Sequence, residues 1–182
     1  MNQSNYMDVL QFWFEEIEPA QWWQVDEALD QLIRERFSDL HTQAVNCELF
    51  RWRQLHQGRL AEIIVLDQFS RNIYRNTPQA FAADPLALAL AQEAIMLGSD
   101  AQVDDQQRGF FYLPFMHSES LAIHEVAEQL YRANNNPDNL DFELRHKQII
   151  EQFSRYPHRN EILGRTSTQA EIEFLQQPGS SF

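Results

Sequence analysis

Cysteine, lysine and glycine are nearly missing from this chain of 182 residues, and each shortage closes off a class of protein. A lone Cys47 cannot form an internal disulfide and excludes a cysteine-cluster zinc site. Five glycines leave few places for tight hairpins, and no stretch alternates apolar and polar residues for long enough to make a strand. No apolar run is long enough to span a bilayer, and the opening MNQSNYMD does not read as a signal peptide. The expectation is a soluble cytoplasmic protein with no membrane partner. Lys147 is the one lysine, so every other cation is arginine. A formal net charge of −13 argues against nucleic acid as a partner, because phosphate backbones need a basic surface. The arginine bias suits buried carboxylate pairs or anion recognition, where a planar fork bonds bidentately; genomic bias would give the same composition.

What is present is ordinary globular material: 43% hydrophobic residues and 12% aromatics, enough for one domain over residues 1–182 with a sizeable core. The stretch that organises it is LAEIIVLDQFSRNIYR, Leu60 to Arg75. Leu60, Ala61, Ile63, Ile64, Val65, Leu66, Phe69 and Ile73 leave almost no polar face, which predicts a buried helix. Its second half nevertheless carries Asp67, Gln68, Arg71, Asn72 and Arg75. Such groups are costly to bury unpaired, so the fold must bring partners to them.

Helical signals continue along the chain. Ser4 or Asn5 caps a first helix through Ile17, stopped by Pro19, with Trp22 and Trp23 in a connector. Asp26 caps a second, with Leu29, Ile33, Phe37, Leu40 and Ala44 as its stripe and a helical continuation through Leu55 until Gly58 breaks it. The central helix then spans Arg59 to about Tyr74. Asp84-Pro85 reads as a cap followed by a first-turn proline, and Gly98 as the end of that helix. Asp104 and Asp105 open a shorter helix, and Pro114 opens another. The run Asn134 to Pro137 is a loop, Phe142 to Phe153 is helical, and Thr168 with Glu171 forms a capping box for a last helix. The fold class is all-α, about eight helices in antiparallel pairs. Periodicity leaves open whether they form a closed bundle or a curved stack.

Two polar constellations stand out. Phe69-Ser70-Arg71 through Arg75-Asn76 is echoed by Phe153-Ser154-Arg155 through Arg159-Asn160. Either these are two helix ends capped alike by arginine, or the two arginine pairs converge on one anion. The second constellation is His117-Ser118-Glu119, which Pro114 places in the first turn of a helix, where the dipole favours an anion. His117 is a candidate general acid or base, with Glu119 as carboxylate and His158 as an alternative proton carrier. His146, on an apolar face, is a possible neighbour. No HExxH-like spacing, nucleophile elbow, phosphate loop or dinucleotide fingerprint appears, so neither a metal nor a cofactor is expected.

Taken together, LDQFSRNIYR, DPLALALA, FFYLPFMHSE, RHKQIIEQFSRYPHRN and LGRTSTQAEIEFL resemble a bacterial family known as domain of unknown function 924, over essentially the whole chain. The resemblance implies an all-α fold similar to tetratricopeptide-repeat superhelices. It carries the family's polar signature onto Asp67, Gln68, Arg71, Asn72, Arg75, His117, Ser118, Glu119, His146, Arg155, Pro157, His158, Arg159 and Asn160, ending at Gly164, Arg165, Ser167 and Thr168. Ser154 stands where that family usually has glycine, so a left-handed backbone is not required there. Ile123 to Val126 replaces a more polar stretch.

Two functions follow. One is a tetratricopeptide-like binding module whose pocket, formed by Asp67, Arg71, Arg75, His146, Arg155 and Arg159, takes a protein segment or a small anionic molecule. The other is a hydrolase or transferase acting on a phosphate or carboxylate substrate. A purely structural polar network is the third possibility. All three require Asp67, His117 and Arg155 to meet inside the helical body.

Overall fold

The computed structural model describes residues 5–134 and 136–181, and no strand occurs among them. Helix α1, Tyr6–Gln11, starts at Asn5 in a reciprocal capping box with Asp8; Ser4, the alternative cap, lies outside the described residues. The helix widens into a π-turn over Phe12–Glu16, which buries Phe12 and Trp13. A 3-10 segment, Pro19–Trp23, brings the Trp22 indole N–H to the Trp13 carbonyl at 3.0 Å. Helix α2, Glu27–Val45, is capped by the Asp26 carboxylate, which accepts from the amides of Ala28 and Leu29. Its expected stripe from Leu29 to Ala44 is buried.

The expected continuation of α2 to Leu55 does not occur. The chain turns at Cys47, in a left-handed conformation, and forms a 3-10 segment over Phe50–Gln54. Helix α3, His56–Ile64, then begins before Gly58, which is therefore no breaker. A Cβ at Gly58 would stand 2.2 Å from the Trp52 carbonyl oxygen, so the glycine permits a close backbone crossing. From α3 the chain runs without interruption through a π-turn, Val65–Phe69, into α4, Ser70–Ile73. Every residue from Leu60 to Ser70 in this rod is buried. Phe69 meets Phe37, Trp13 and Phe12 at ring separations of 4.8, 5.5 and 6.0 Å. Truncating such a core aromatic costs about 3–5 kcal/mol.

A single turn, α5 (Gln79–Ala82), leads to α6 (Asp84–Met96). Asp84 does not cap this helix as expected; it is the first helical residue, and its carboxylate serves another partner. Gly98 ends the helix with φ +69°, and the Gly98 and Ser99 amides bond Ile95 and Ala94 in a Schellman pattern. Helix α7, Asp105–Met116, runs through Pro114 instead of starting there. An interior proline forfeits the bond to the carbonyl four residues back. Here the residues from Gly109 to Met116 are all buried, and that packing outweighs the local preference. Ser120 precedes α8 (Leu121–Ala133), and Asn136 caps α9 (Pro137–Phe153); Asn135 lies outside the described residues. Ser154 is left-handed after all, with φ 57° and its amide on the Ile150 carbonyl. Helix α10, Gln169–Leu175, carries the expected Thr168–Glu171 capping box.

With the rod from α3 to α4 counted once and the single-turn α5 left aside, eight helices are described. Consecutive members α6, α7, α8 and α9 pack side by side, and α1, α2, α6 and α7 surround the rod. No described helix is long and apolar enough to cross a membrane.

Candidate functional site

The π-turn at Val65–Phe69 is the wider i→i+5 geometry that recurs at functional positions. It carries Asp67, whose side chain is 1% exposed. The His117 Nδ1–H donates to Asp67 Oδ1 at 2.7 Å, and Gln68 Nε2 donates to Oδ2 at 2.5 Å. Arg71 Nη1 stands 3.3 Å from the same carboxylate. Burial alone would raise the Asp67 pKa, but the charge of Arg71 and the hydrogen bonds from His117 and Gln68 outweigh it and hold the carboxyl far below its usual range. Burial, and then Arg71, push the His117 pKa down against the pull of Asp67. The imidazole is therefore neutral at pH 7, with its proton on Nδ1 facing the carboxylate and its lone pair on Nε2.

His117 is not in a first helical turn as the sequence suggested. It is the C-terminal cap of α7, at the negative end of that helix's dipole. Its loop is held from beneath by a buried network. His124 bonds Glu143 at 2.7 Å through Nδ1 and the Ser118 carbonyl at 2.8 Å through Nε2. The Tyr156 hydroxyl donates to the Met116 carbonyl at 2.5 Å.

Arg71 reaches from the rod to α6. It donates to the Asp67 carbonyl at 2.7 Å and forms a two-pronged pair with Asp84 at 2.9 and 3.1 Å. Arg159, from the Pro157–Arg159 turn, approaches the same Asp84. Arg159 is 6% exposed, and its guanidinium lies 4.6 Å from the centroids of both Phe81 and Tyr156. Its hydrogen bond is a single long one, Nη1 to Asp84 Oδ2 at 3.4 Å, and its buried Nε–H has no partner. Burial, followed by Arg71, lowers the Arg159 pKa.

Glu119 takes a two-pronged pair from Arg165 at 2.7 and 2.9 Å and the Tyr156 amide at 2.7 Å. It thereby fastens the loop after α9 to the connection between α7 and α8. Burial would raise its pKa, but Arg165 and the amide bring it below the ordinary value. His146 donates through Nδ1 to the Phe142 carbonyl at 2.7 Å. Burial takes the His146 pKa to about 3, with His117, His124 and His158 near enough to oppose its protonation further. Burial, then Arg159, takes His158 to about 4.

Beside these groups opens a recess of about 410 Å³, whose lining combines the polar Asp84, His117, Ser118, Glu119 and Arg159 with the apolar Phe81, Pro85, Leu88, Pro114 and Leu163. The two arginine pairs of the sequence echo do not meet there. Arg71 and Arg159 share Asp84, whereas Arg75 pairs with Asp30 beside Asn72, and Arg155 pairs with Glu171 and the Thr166 carbonyl. Of the expected meeting of Asp67, His117 and Arg155, the first two are bonded and the third is engaged elsewhere. Sequence reasoning missed Asp84, Phe81 and Leu163. Asp84 was visible but had a competing local reading as a cap; the other two carry no polar signal. Among the described residues, no three His, Cys, Asp or Glu side chains are grouped to hold a metal ion.

Residues 9–179 match the family described as "Bacterial protein of unknown function (DUF924)". A solved structure, the protein of unknown function ATU0120 from Agrobacterium tumefaciens, is 38% identical and superposes with a TM-score of 0.90 over 94% of this chain and 96% of that one. No functionally curated protein matches. The chain belongs to the DUF924 family.

Proposed function

We propose that this DUF924 protein binds a small anionic ligand, a carboxylate or phosphate, in the recess between α5, α6 and the end of α7. The observation that carries the reading is Arg159. A buried guanidinium normally has its donors satisfied, because an unpaired buried charge is expensive. Arg159 has one long bond, an unpartnered Nε–H and two aromatic rings packed within 4.6 Å of its guanidinium. An incoming anion would complete it. The volume falls within the range of small-molecule sites, which begin at roughly 300 Å³. A cytoplasmic location, expected from the single cysteine together with the lack of a membrane-spanning run or signal peptide, accords with this reading.

Thermal unfolding against a panel of carboxylates and phosphates tests it. A ligand at about one hundred times its dissociation constant adds about 2.7 kcal/mol of stability. The Arg159→Met protein keeps the Arg71–Asp84 pair and should fold, yet lose that increment. Equal stabilisation of both proteins would remove the proposal.

A second reading is favoured by the Asp67–His117 pair. A neutral imidazole oriented through Nδ1 by an ionised carboxylate presents Nε2 as a general base. In a hydrolase or transferase, His117 would take a proton from water or a substrate hydroxyl while Arg159 holds the anionic group.

A further inference from the structure

We infer that the recess is built for a monocarboxylate with an apolar body, not for a phosphate ester or other dianion. The inference rests on the anion-site reading above and narrows it to one class of ligand.

The charges around the recess already balance. Arg71 and Arg159 face Asp67 and Asp84, and Arg165 faces Glu119. His117 is neutral beside Asp67 and adds nothing to the positive side. A monoanion entering here leaves one net negative charge; a dianion leaves two, in a space that two carboxylates, Asp84 and Glu119, themselves line. Sites for phosphate draw on excess cations or on free amides at a helix start. The helix that opens onto this recess, α6, begins with Asp84-Pro85, which supplies a negative charge and withholds an amide proton.

The geometry of Arg159 points the same way. One Nη is turned to Asp84, and the Nε–H is unused. Arg159 lines the recess, and a shift of its side chain that brings the buried Nε–H to the opening would let a carboxylate accept two parallel bonds from Nε and the second Nη. The Phe81 and Tyr156 ring centroids each lie 4.6 Å from the guanidinium and leave the hydrogen-bonding donors at its edge for an anion. The rest of the lining includes Phe81, Pro85, Leu88, Pro114 and Leu163, apolar side chains that reward an apolar body.

Calorimetric titration with phenylacetate, acetate, phenyl phosphate and phenylacetamide decides the matter on the wild-type protein. The expected result is phenylacetate binding at least tenfold more tightly than the other three, with the preference lost in Arg159→Met. A Leu88→Trp protein, filled from a half-exposed wall position, should weaken phenylacetate and leave acetate unchanged. If phenyl phosphate binds more tightly than phenylacetate and depends on Arg159, the anion site stands and the monocarboxylate assignment falls. If acetate equals phenylacetate, or Leu88→Trp affects both alike, the apolar body falls. If none of the anions binds, both this inference and the anion-site reading fall together.

Discussion

Replacing Asp67 by asparagine keeps the shape of the side chain and removes its charge. Three groups feel the change. The His117 Nδ1–H, 2.7 Å away, can still donate to an amide oxygen. Gln68 must reorient or lose its 2.5 Å bond if the new amide nitrogen faces it. Arg71, the important one, loses one of two carboxylate partners and retains its two-pronged pair with Asp84. Breaking a buried ion pair costs about 3–5 kcal/mol. Because Asp84 remains, the low end applies, about 3 kcal/mol. For a chain of this size that lowers the melting temperature by roughly 6–12 °C. Urea unfolding at pH 7 measures it directly, as a shift of the midpoint with an unchanged slope. The pH dependence gives the sign. A carboxyl whose folded pKa is depressed contributes stability that is complete above its unfolded pKa, near 4, and is lost as pH falls toward the folded value. The gap between wild type and Asp67→Asn should therefore be constant above about pH 5 and close in stronger acid. A variant within about 0.5 kcal/mol of wild type at pH 7 would mean that Asp67 is not an ionised partner, and the account of the site would fail at its centre.

Three further outcomes follow from other parts of the molecule. His146 and His158 are held neutral by burial, at about 3 and about 4. Between pH 6.5 and those values the unfolded chain binds protons that the folded chain refuses, so stability falls with pH by up to about 1.4 kcal/mol per unit for each histidine; His146→Gln should flatten the slope of unfolding free energy over pH 4 to 6. Gly58→Ala places a Cβ 2.2 Å from the Trp52 carbonyl, a clash with backbone that should cost about 1–3 kcal/mol by urea unfolding. Ser154 is left-handed at the end of α9, where glycine is free of the Cβ penalty, so Ser154→Gly should raise stability by about 0.5–1 kcal/mol in the same assay, and a loss would show that the serine hydroxyl contributes more than the strain.

These cases mark how far the sequence could be read. The all-helical class, the α2 stripe, the Asn5, Asp26 and Thr168 caps and the Gly98 stop each rest on neighbours within one or two turns, where spacing states the physics in full. The readings that failed are those in which a local rule met a tertiary contact. Pro114 should have begun a helix, but burial of the whole segment from Gly109 carried α7 through it. Gly58 should have broken one, but it serves a crossing with Trp52. Asp84 reads as a cap by position and is instead the carboxylate that gathers Arg71 and Arg159. The paired Phe-Ser-Arg motifs hold the same lesson: identical local patterns deliver Arg71 and Arg155 to different partners, because what lies across from each is set by helices distant in sequence.

The polar half of the central rod can now be accounted for residue by residue. Asp67 receives His117 from the end of α7; Arg71 receives Asp84 from the start of α6; Arg75 and Asn72 receive Asp30 from α2. Three helices are thus each fixed in register against one face of the rod. A slip of any of them would strand a buried charge, at a cost that a sliding apolar interface does not impose. None of the buried side-chain donors in this network lacks an acceptor. Arg155 is satisfied in the same manner by Glu171. Of the four arginines in the two related motifs, Arg159 alone is buried with a donor unspent. A network selected only for stability would have no reason to hold a cation so incompletely, since an apolar residue between Phe81 and Tyr156 would pack there without the desolvation cost. Arg159→Met therefore discriminates in both directions: it should be neutral or stabilising in the absence of ligand, while Asp67→Asn is destabilising under the same conditions. If Arg159→Met unfolds the protein as readily as Asp67→Asn does, the cation belongs to the framework, and the recess loses its claim to a ligand.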